Sequence, residues 1–297
     1  ELGHGRHGAR LTMALNYDHL MDLKRDGDRF RYTDRETMLY AIGIGMGRDP
    51  LNADELPYVF EQPALKTVPS MATVLTRVPL LRDCGYDYAK VVHGEQQLTL
   101  HRPLSPEGEL IASARVTAAY DKGPGRGAII YTETIARSAA DGQPVFTLGS
   151  ATFARGDGGF GGPAGPGPAP HAIPDRKPDA SVTLETRADQ ALLYRLSGDR
   201  NPLHADPALA QRVGFRAPIL HGLCTYGTAC RAILQEVAAY DHTRITGFDV
   251  RFSAPVYPGE SIATDLWIDG DVVSFRCRVP QRENAMVINN GRCTLVA

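Results

Sequence analysis

The sequence predicts an α+β fold made of two similar units in tandem, and three observations support this. A glycine- and proline-rich stretch, residues 156–180, divides the 297-residue chain into halves of about equal length. The two halves share short motifs. The second half contains one long amphipathic helical pattern followed by four strand patterns, an order typical of an antiparallel sheet wrapped around a helix.

The shared motifs lie at corresponding places in the two halves. Tyr40-Ala-Ile-Gly-Ile-Gly45 parallels Tyr194-Arg-Leu-Ser-Gly-Asp199, and Arg102-Pro-Leu-Ser-Pro-Glu-Gly-Glu109 parallels Ala254-Pro-Val-Tyr-Pro-Gly-Glu260. Self-similarity of this kind indicates a repeated structural unit. We therefore expect the same architecture, a sheet around a long central helix, in each half.

The repeats and the segments around them have predicted boundaries. We expect an N-terminal repeat over residues 13–155, a linker over 156–180 and a C-terminal repeat over 181–297. The linker composition cannot bury a core and resists helix and strand formation. Residues 1–12 are rich in Gly, His and Arg and lack the apolar core of a secretion signal. They are expected to be an added leader ahead of a native start at Met13.

The elements of the second repeat can be placed from periodicity and turn residues. Gly198 and Pro202 predict a turn, and Asp206 is a predicted helix N-cap before a proline at the first helical position. The predicted helices are Ala188–Leu196, Pro207–Val213 and His221–Tyr240, with a turn over Ser197–Ala205 and strands near Ile245–Phe252, Ser261–Asp269, Val272–Pro280 and Met286–Leu295.

Composition excludes several classes of function. The formal net charge of −2 gives no electrostatic basis for nucleic acid binding or attachment to a membrane surface. No apolar run approaches the roughly 20 residues of a membrane span. The five cysteines are scattered without a Cys-x-x-Cys pair, which favours a reducing compartment and argues against a disulfide framework or structural zinc.

A turn of polar residues is the strongest functional signal. Tyr194-Arg-Leu-Ser-Gly-Asp-Arg-Asn-Pro-Leu-His204 places the Asp199 carboxylate and the His204 imidazole five residues apart. Pro202 restricts Asn201 to extended conformations, so the side chains of Asp199, Asn201 and His204 can converge. A carboxylate and a neutral imidazole can together orient water and take its proton.

Alternative interpretations of this turn are structural. Asp199 could cap the next helix, with His204 a hydrogen-bonded surface histidine. An Asp-x-Asn sequence also opens calcium loops, but an EF-hand needs Gly and Glu at the sixth and twelfth positions, where this chain has His204 and Ala210. No metal site is therefore expected.

Gly222 is predicted near the start of the long helix, within Pro218-Ile-Leu-His-Gly-Leu-Cys-Thr-Tyr-Gly227. The first amides of a helix have no internal acceptor and lie at the positive end of its dipole. The Gly222 N–H is thus a candidate oxyanion donor for a thioester carbonyl. Alternatively, the glycine only permits close packing under the sheet. His221 is expected to be structural and not catalytic.

Two glycine-rich stretches do not support nucleotide binding. Gly43-Ile-Gly-Met-Gly47 lies in a helical pattern, and Lys122-Gly-Pro-Gly-Arg-Gly127 lies between two strand patterns, as in a hairpin. Neither has the ending or the strand–turn–helix setting of a phosphate-binding loop. Lys122 and Arg126 could present charge to a phosphorylated ligand, or they could be solvated loop charges.

These motifs carry a resemblance to a known family. The stretch Tyr194–His204 together with Pro218–Gly227 resembles the signature of hydratase 2, the (R)-specific enoyl-CoA hydratases of the MaoC-like group. The wider chain is similar to the hydratase unit of peroxisomal multifunctional enzyme type 2, in Val92-His-Gly-Glu95, Asp121-Lys-Gly123, Gly158-Gly-Phe-Gly-Gly162 and Pro255-Val-Tyr-Pro-Gly259. The similarity covers nearly everything from Phe30 to Leu295.

The resemblance implies a double hot-dog fold with one catalytic repeat. Gly45 stands where Asp199 stands in the second repeat, so the first repeat is expected to accommodate the acyl chain and take no part in catalysis. Asp199 and His204 are the implied catalytic pair, Asn201 supports them, and the Gly222 amide forms the oxyanion hole. The implied substrate contacts are His93, Gly94, Lys122, Arg200, Pro202, Leu203 and Phe252.

The implied function is reversible hydration of trans-2-enoyl-CoA to (3R)-3-hydroxyacyl-CoA, in fatty acid β-oxidation or related acyl-CoA metabolism. The alternatives are a hot-dog acyl-CoA thioesterase or a non-catalytic acyl-CoA-binding module. No cofactor is expected beyond the coenzyme A of the substrate, and a homodimer is expected. We expect no nucleic acid partner and no membrane insertion. The compartment is expected to be a bacterial cytoplasm, or a peroxisome if the source is eukaryotic.

Overall fold

The computed structural model describes residues 15–82, 84–87, 90–165 and 167–296. The whole of the predicted leader, residues 1–12, lies outside these ranges, as does Met13. Ten strands form one antiparallel sheet in the order β1-β3-β4-β5-β2-β7-β10-β9-β8-β6. The strands are β1 Lys24–Tyr32, β2 Val91–Leu100, β3 Gly108–Asp121, β4 Ala128–Ser138, β5 Pro144–Ala154, β6 Ala180–Glu185, β7 Ile245–Phe252, β8 Ser261–Asp269, β9 Val272–Val279 and β10 Ala285–Leu295.

The two halves of the sheet meet at a single strand pair. Strands β1–β5 come from the first half of the chain and β6–β10 from the second, and β2 pairs with β7 at the centre. Gln96 lies opposite Val250, and Thr99 opposite Gly247. Backbone hydrogen bonds therefore run without a break from one half to the other, and this fixes the relative position of their inner faces.

Helices cover the inner face of the sheet. They are α1 Tyr17–Asp22, α2 Asp34–Gly43, α3 Leu56–Val59, α4 Ala72–Leu75, α5 Gln190–Tyr194, α6 Pro207–Arg212 and α7 Gly222–Glu236. The central helix α7 packs against β6, β7 and β8, and each residue from Cys224 to Leu234 is buried. Within the described ranges, none of the helices has both the length and the apolar character needed to cross a lipid bilayer.

The second half agrees with the sequence prediction apart from three features: strand β6, which was not predicted, the shorter helix α5, and the end of the long helix. The predicted strands match β7–β10 to within one residue, and Asp206 caps α6 by accepting from Ala208 N at 2.8 Å. Helix α7 ends at Glu236, four residues before the predicted Tyr240, because Ala239 and Tyr240 adopt positive φ angles of 50° and 55°. The Tyr240 carbonyl accepts from Tyr58 Oη at 2.8 Å, which fixes this left-handed turn against the first repeat.

The first repeat departs from the prediction of a long central helix. Its helical segment at the corresponding place is one 3-10 turn, Pro69–Met71, followed by the four residues of α4. Pro69 can only begin a helix, Thr76 is already extended with φ −127° and ψ 92°, and Pro79 follows it. The inner face of the first half of the sheet is therefore covered mainly by irregular chain.

A groove lies where this cover is incomplete. On β4, Ile130 and Ala136 belong to two separate apolar clusters, and Thr132 and Thr134 lie between them on the same face of the strand. A groove of about 470 Å³ opens between these threonines and the segment Val78–Arg82, with Tyr86 beside it. We name it the β4 groove.

A buried ion pair joins the two repeats. Arg231 of α7 donates from Nε to Glu55 Oε1 at 2.5 Å, and Gly47 N donates to Glu55 Oε2 at 2.9 Å. Glu55 is fully buried and Arg231 nearly so. A Cβ on Gly45 would lie 3.0 Å from the Arg231 guanidinium, so this arginine occupies the space beside the residue that corresponds to Asp199.

Replacing Arg231 with methionine should destabilise the fold by about 3–5 kcal/mol, since Glu55 is left as a buried charge without its cation. The matched control is Arg48→Met, which removes an exposed ion pair between the repeats (Arg48 to Glu185, 3.0 Å) and should cost less than about 1 kcal/mol. Urea unfolding of both variants gives the comparison. Equal losses would show that the buried pair does not hold the repeats together.

Candidate active site

The polar turn predicted from sequence is a short, tightly hydrogen-bonded loop. Helix α5 tightens into a 3-10 turn and ends at Gly198, whose φ of +115° suits glycine. Asn201 N donates to Asp199 Oδ1 at 3.1 Å, and the Asn201 side chain accepts from Leu203 N at 3.0 Å. Asn201 is extended, with φ −54° and ψ 124°, as the following proline requires. Asn201 thus shapes the turn that carries Asp199 and His204.

His204 is buried and held in one orientation. Its Nδ1 lies 2.8 Å from the carbonyl oxygen of Ile219. Because a carbonyl only accepts, we assign the ring hydrogen to Nδ1, which leaves a lone pair on Nε2. Burial lowers the pKa of His204, and the carbonyl of Ile219 and the charge of Asp199 only partly oppose this shift. A neutral ring with a free Nε2 is a proton acceptor.

His221 fixes both members of the pair. Its Nε2–H donates to the backbone carbonyl of Asp199 at 3.0 Å. Its ring stacks on His204 with a centroid distance of 3.6 Å and an interplanar angle of 25°. Burial, with the neighbouring imidazole of His204 next in size, lowers its pKa to about 4. These contacts show what His221 supports, the backbone of Asp199 and the ring of His204.

Asp199 faces an arginine from the first repeat. Burial alone would raise the pKa of Asp199, but Arg77, the Asn201 N–H and the two histidines outweigh it, so its pKa lies below the usual value. Arg77 Nη2 is 3.5 Å from Asp199 Oδ2, and the two side chains are 42% and 34% exposed. Arg77 was not predicted from the sequence, because no motif relates it to a turn in the other repeat.

Asp199, His204 and His221 also meet the distance condition for a metal site, since one donor atom from each lies within 4.8 Å of the others. Their orientation does not suit it. A metal lies in the plane of an imidazole that binds it, and the planes of two stacked rings cannot both contain one ion. In addition, His204 Nδ1 and His221 Nε2 already contact carbonyls. The donor set fits proton chemistry better than metal binding.

Gly222 is the first residue of α7, as predicted. The first intrahelical bonds come from Cys224 N and Thr225 N, which both donate to His221 O at 3.0 and 3.2 Å. The amides of Gly222 and Leu223 precede them and face out of the helix start. A Cβ on Gly222 would lie 3.4–3.6 Å from the Phe252 ring, an ordinary contact. Packing therefore does not require glycine at this position.

His93 and Phe252 lie beside the start of α7. Their ring centroids are 4.9 Å apart, and His93 Nε2 is 3.0 Å from both Glu95 O and Ser150 Oγ. Burial lowers the pKa of His93 to about 4. Gly94 lies at a register shift between β2 and β5, where a Cβ would be 3.2 Å from Ala151 O. The close approach of the two strands explains why a residue without a side chain is favoured at position 94.

The remaining residues predicted from sequence lie outside this cluster or at its edge. Arg200 and Pro202 are exposed on the turn, and Leu203 is half-buried. Lys122 lies on the hairpin between β3 and β4, where its Nζ donates to Gly165 O at 2.6 Å. The structure thus brings Asp199, Asn201, His204, Gly222, His93 and Phe252 together, and it places Lys122 against the linker.

Comparison with known proteins agrees with this architecture. The family model described as "MFE-2 hydratase 2 N-terminal domain" matches residues 30–156, and the model described as "MaoC like domain" matches residues 170–288. The enoyl-CoA hydratase ChsH3 of Mycobacterium tuberculosis is 38% identical over 93% of this chain and 98% of its own.

Solved structures agree as well. A MaoC-like dehydratase from Phytophthora capsici superimposes with a TM-score of 0.83 at 33% identity, over 95% of this chain and 98% of its own. A Mycobacterium tuberculosis protein described as having a double hotdog fold superimposes with a TM-score of 0.56 at 15% identity, over 97% of this chain and 99% of its own. The predicted double hot-dog fold is confirmed, and the chain belongs to the MaoC-like family, in its hydratase 2 group.

Proposed function

We propose that this chain catalyses the reversible addition of water to trans-2-enoyl-CoA thioesters, giving (3R)-3-hydroxyacyl-CoA. The observation that carries the proposal is a pair of proton acceptors, the Asp199 carboxylate and His204 Nε2, held on one turn beside the free amides of the α7 start. Membership of the hydratase 2 group and the similarity to an enzyme named enoyl-CoA hydratase support the same reaction.

In the free enzyme, the charge states of Asp199 and His204 suit the binding of one water molecule. Asp199 is a carboxylate and His204 is a neutral ring, because the pKa of each group lies below its ordinary value. A water molecule has two hydrogens and can donate one to each acceptor, which leaves an oxygen lone pair free to attack C3. The pair takes one proton as the C3–O bond forms and returns one to C2 on the same face.

The start of α7 would stabilise the charge that develops during this step. As hydroxide adds to C3, electron density moves through the C2=C3 bond onto the thioester oxygen. The Gly222 N–H at the positive end of a 15-residue helix would donate to that oxygen, where hydrogen bonding and the helix dipole act together. The addition of water involves no net oxidation or reduction, so its chemistry calls for no redox cofactor.

The proposed substrate contacts follow the same geometry. The carbonyl end would lie between Gly222, Phe252 and the pair formed by His93 and Gly94. The exposed residues Arg200 and Pro202 and the half-buried Leu203 would border the pantetheine. The acyl chain would enter the β4 groove, the place where the first repeat lacks a long helix. Lys122 would contact the nucleotide end of coenzyme A. We propose a homodimer as the assembled form.

A coupled assay tests the proposed reaction directly. The purified protein is mixed with trans-2-enoyl-CoAs of increasing chain length. The loss of the conjugated enoyl thioester is followed by ultraviolet absorbance, and free coenzyme A by a thiol reagent. Hydration removes the absorbance and releases no thiol. Thiol release in step with substrate loss would instead indicate a thioesterase, and binding without turnover would indicate an acyl-CoA-binding module.

Asp199→Asn and His204→Gln should each lower kcat for hydration by at least about a hundredfold, the usual effect of removing a positioned acid or base. Asp206→Asn is the matched control, because Asn also caps helices well and Asp206 caps α6 on the same loop. Steady-state kinetics with circular dichroism checks both activity and folding. Near-normal turnover in either catalytic variant would contradict the role given to that residue.

Gly222→Ala should fold normally and still lose at least about tenfold in kcat/KM, since the methyl group lies where the thioester oxygen approaches the amide. Gly108→Ala is the control, because a Cβ there also has ordinary room, 3.5 Å from Tyr32. Thermal melts and kinetics of the two variants are compared. Full activity in Gly222→Ala would remove this amide from the oxyanion site.

Lys122→Ala should raise KM for an enoyl-CoA and leave kcat almost unchanged, because a phosphate contact is equally strong in the ground and transition states. The effect should shrink at high salt and be absent for a short thioester analogue without the nucleotide. Steady-state kinetics of wild type and Lys122→Ala on both substrates separates an effect on KM from an effect on kcat. An equal loss of kcat on the two would place Lys122 at the reacting centre.

A further inference from the structure

Arg77 reaches the catalytic turn from the repeat that lacks catalytic residues. Helix α4 ends at Leu75, and the extended backbone of Thr76 directs the chain toward the second repeat. The Arg77 guanidinium then lies 3.5 Å from Asp199 Oδ2. A Cβ on Gly198 would be 3.2 Å from Arg77 Nη1 and 3.3 Å from its Cδ. Glycine at this position thus leaves room for the arginine beside the carboxylate.

Arg77 is the permanent positive charge among the groups that act on Asp199. The other titratable groups that interact electrostatically with Asp199 are His204, His221, His93 and Tyr194. Burial lowers the pKa of all three imidazoles, which are therefore neutral near pH 7. The Tyr194 hydroxyl is buried and its pKa is raised, so it is neutral as well.

Arg195 lies on the same turn and acts on His204, whose pKa it lowers. It is not among the groups that shift the pKa of Asp199, whereas Arg77 is the largest of those that lower it. The two arginines therefore have the same sign of effect on different members of the pair. Each favours the form that accepts a proton, a carboxylate on Asp199 and a neutral ring on His204.

We propose that Arg77 is a positioning residue of the catalytic centre, which keeps the Asp199 carboxylate ionised and turned toward the water that it shares with His204. This inference rests on the proposed hydration. It gives the first repeat a part in the chemistry, since the residue that sets the charge state of Asp199 belongs to the unit that receives the acyl chain.

The position of Arg77 also links its effect to the substrate. The residues that follow it, from Val78 to Arg82, form one wall of the β4 groove. The ion pair is partly exposed, so water screens it in the free enzyme. An acyl chain long enough to fill the groove would exclude some of that water and strengthen the attraction. The contribution of Arg77 should therefore grow with acyl chain length.

The sign of the expected pH effect follows from the charges. Arg77 favours the carboxylate form of Asp199, so its removal raises the pKa of that group. The carboxylate is then lost at a higher pH on acidification, and the acidic limb of the kcat/KM profile for hydration moves to higher pH. The shift is smaller than that caused by a buried opposite charge, because both side chains are partly exposed and water screens their attraction.

The test compares Arg77→Met, Arg77→Lys and the control Arg48→Met, which removes a surface ion pair between the repeats away from the catalytic turn. Arg77→Met should move the acidic limb up by about half a unit and lower kcat/KM on that limb about two- to fivefold. At pH 7, where Asp199 is ionised in both proteins, kcat/KM should be almost unchanged. The loss on the acidic limb should be larger for a long enoyl-CoA than for a four-carbon one. Arg77→Lys should restore most of the profile, and Arg48→Met should leave it unchanged.

A double-mutant cycle with Asp199→Asn separates this role from a structural one. If Arg77 acts through the carboxylate, Arg77→Met has no further effect on kcat/KM in the Asp199→Asn background. An unmoved acidic limb, or an equal loss in both backgrounds, would overturn the inference while wild-type hydration stands. Absence of hydration in the wild-type chain would instead contradict the proposed function itself.

Discussion

The candidate site depends on one four-residue segment, Ile219–Gly222, because its residues position the acid–base pair and begin the helix whose first amide is free. The Ile219 carbonyl fixes the tautomer of His204, and Leu220 N is anchored on Val256 O at 2.7 Å. His221 holds the backbone of Asp199 and stacks on the His204 ring. Gly222 then begins α7 with its amide free. A small displacement of this segment would change the acid–base pair and the helix start together.

The proposed division of labour between the repeats rests on one structural difference, the length of the helix that packs on each half of the sheet. In the second repeat, α7 fills the concave face and carries the site at its first residue. In the first repeat, prolines limit the corresponding helix to Ala72–Leu75, and the β4 groove lies beside the chain that follows. The pairing of β2 with β7 joins the half of the sheet beside the groove to the half that packs on α7. The buried contact of Glu55 with Arg231 closes the place that corresponds to Asp199.

Local chemistry made the second repeat predictable, and long-range contacts explain what was missed. Proline restricts its own backbone and glycine tolerates conformations that other residues avoid, so the turn around Asp199 and the start of α7 at Gly222 could be placed from sequence. The early end of α7 depends on Tyr58, which binds the Tyr240 carbonyl from the other repeat. Arg77 and the stacking of His221 on His204 likewise depend on how distant segments meet. No periodicity or spacing within one segment reports such contacts.

The central claim is that one water, held by Asp199 and His204 on one face of the substrate, supplies both the hydroxyl and the proton. The most direct test is hydration of a trans-2-enoyl-CoA in deuterium oxide, followed by chiral analysis of C3 and assignment of deuterium at C2 by nuclear magnetic resonance. The account predicts (3R)-3-hydroxyacyl-CoA with the deuterium on the same face as the hydroxyl. A (3S) product, or deuterium on the opposite face, would contradict it.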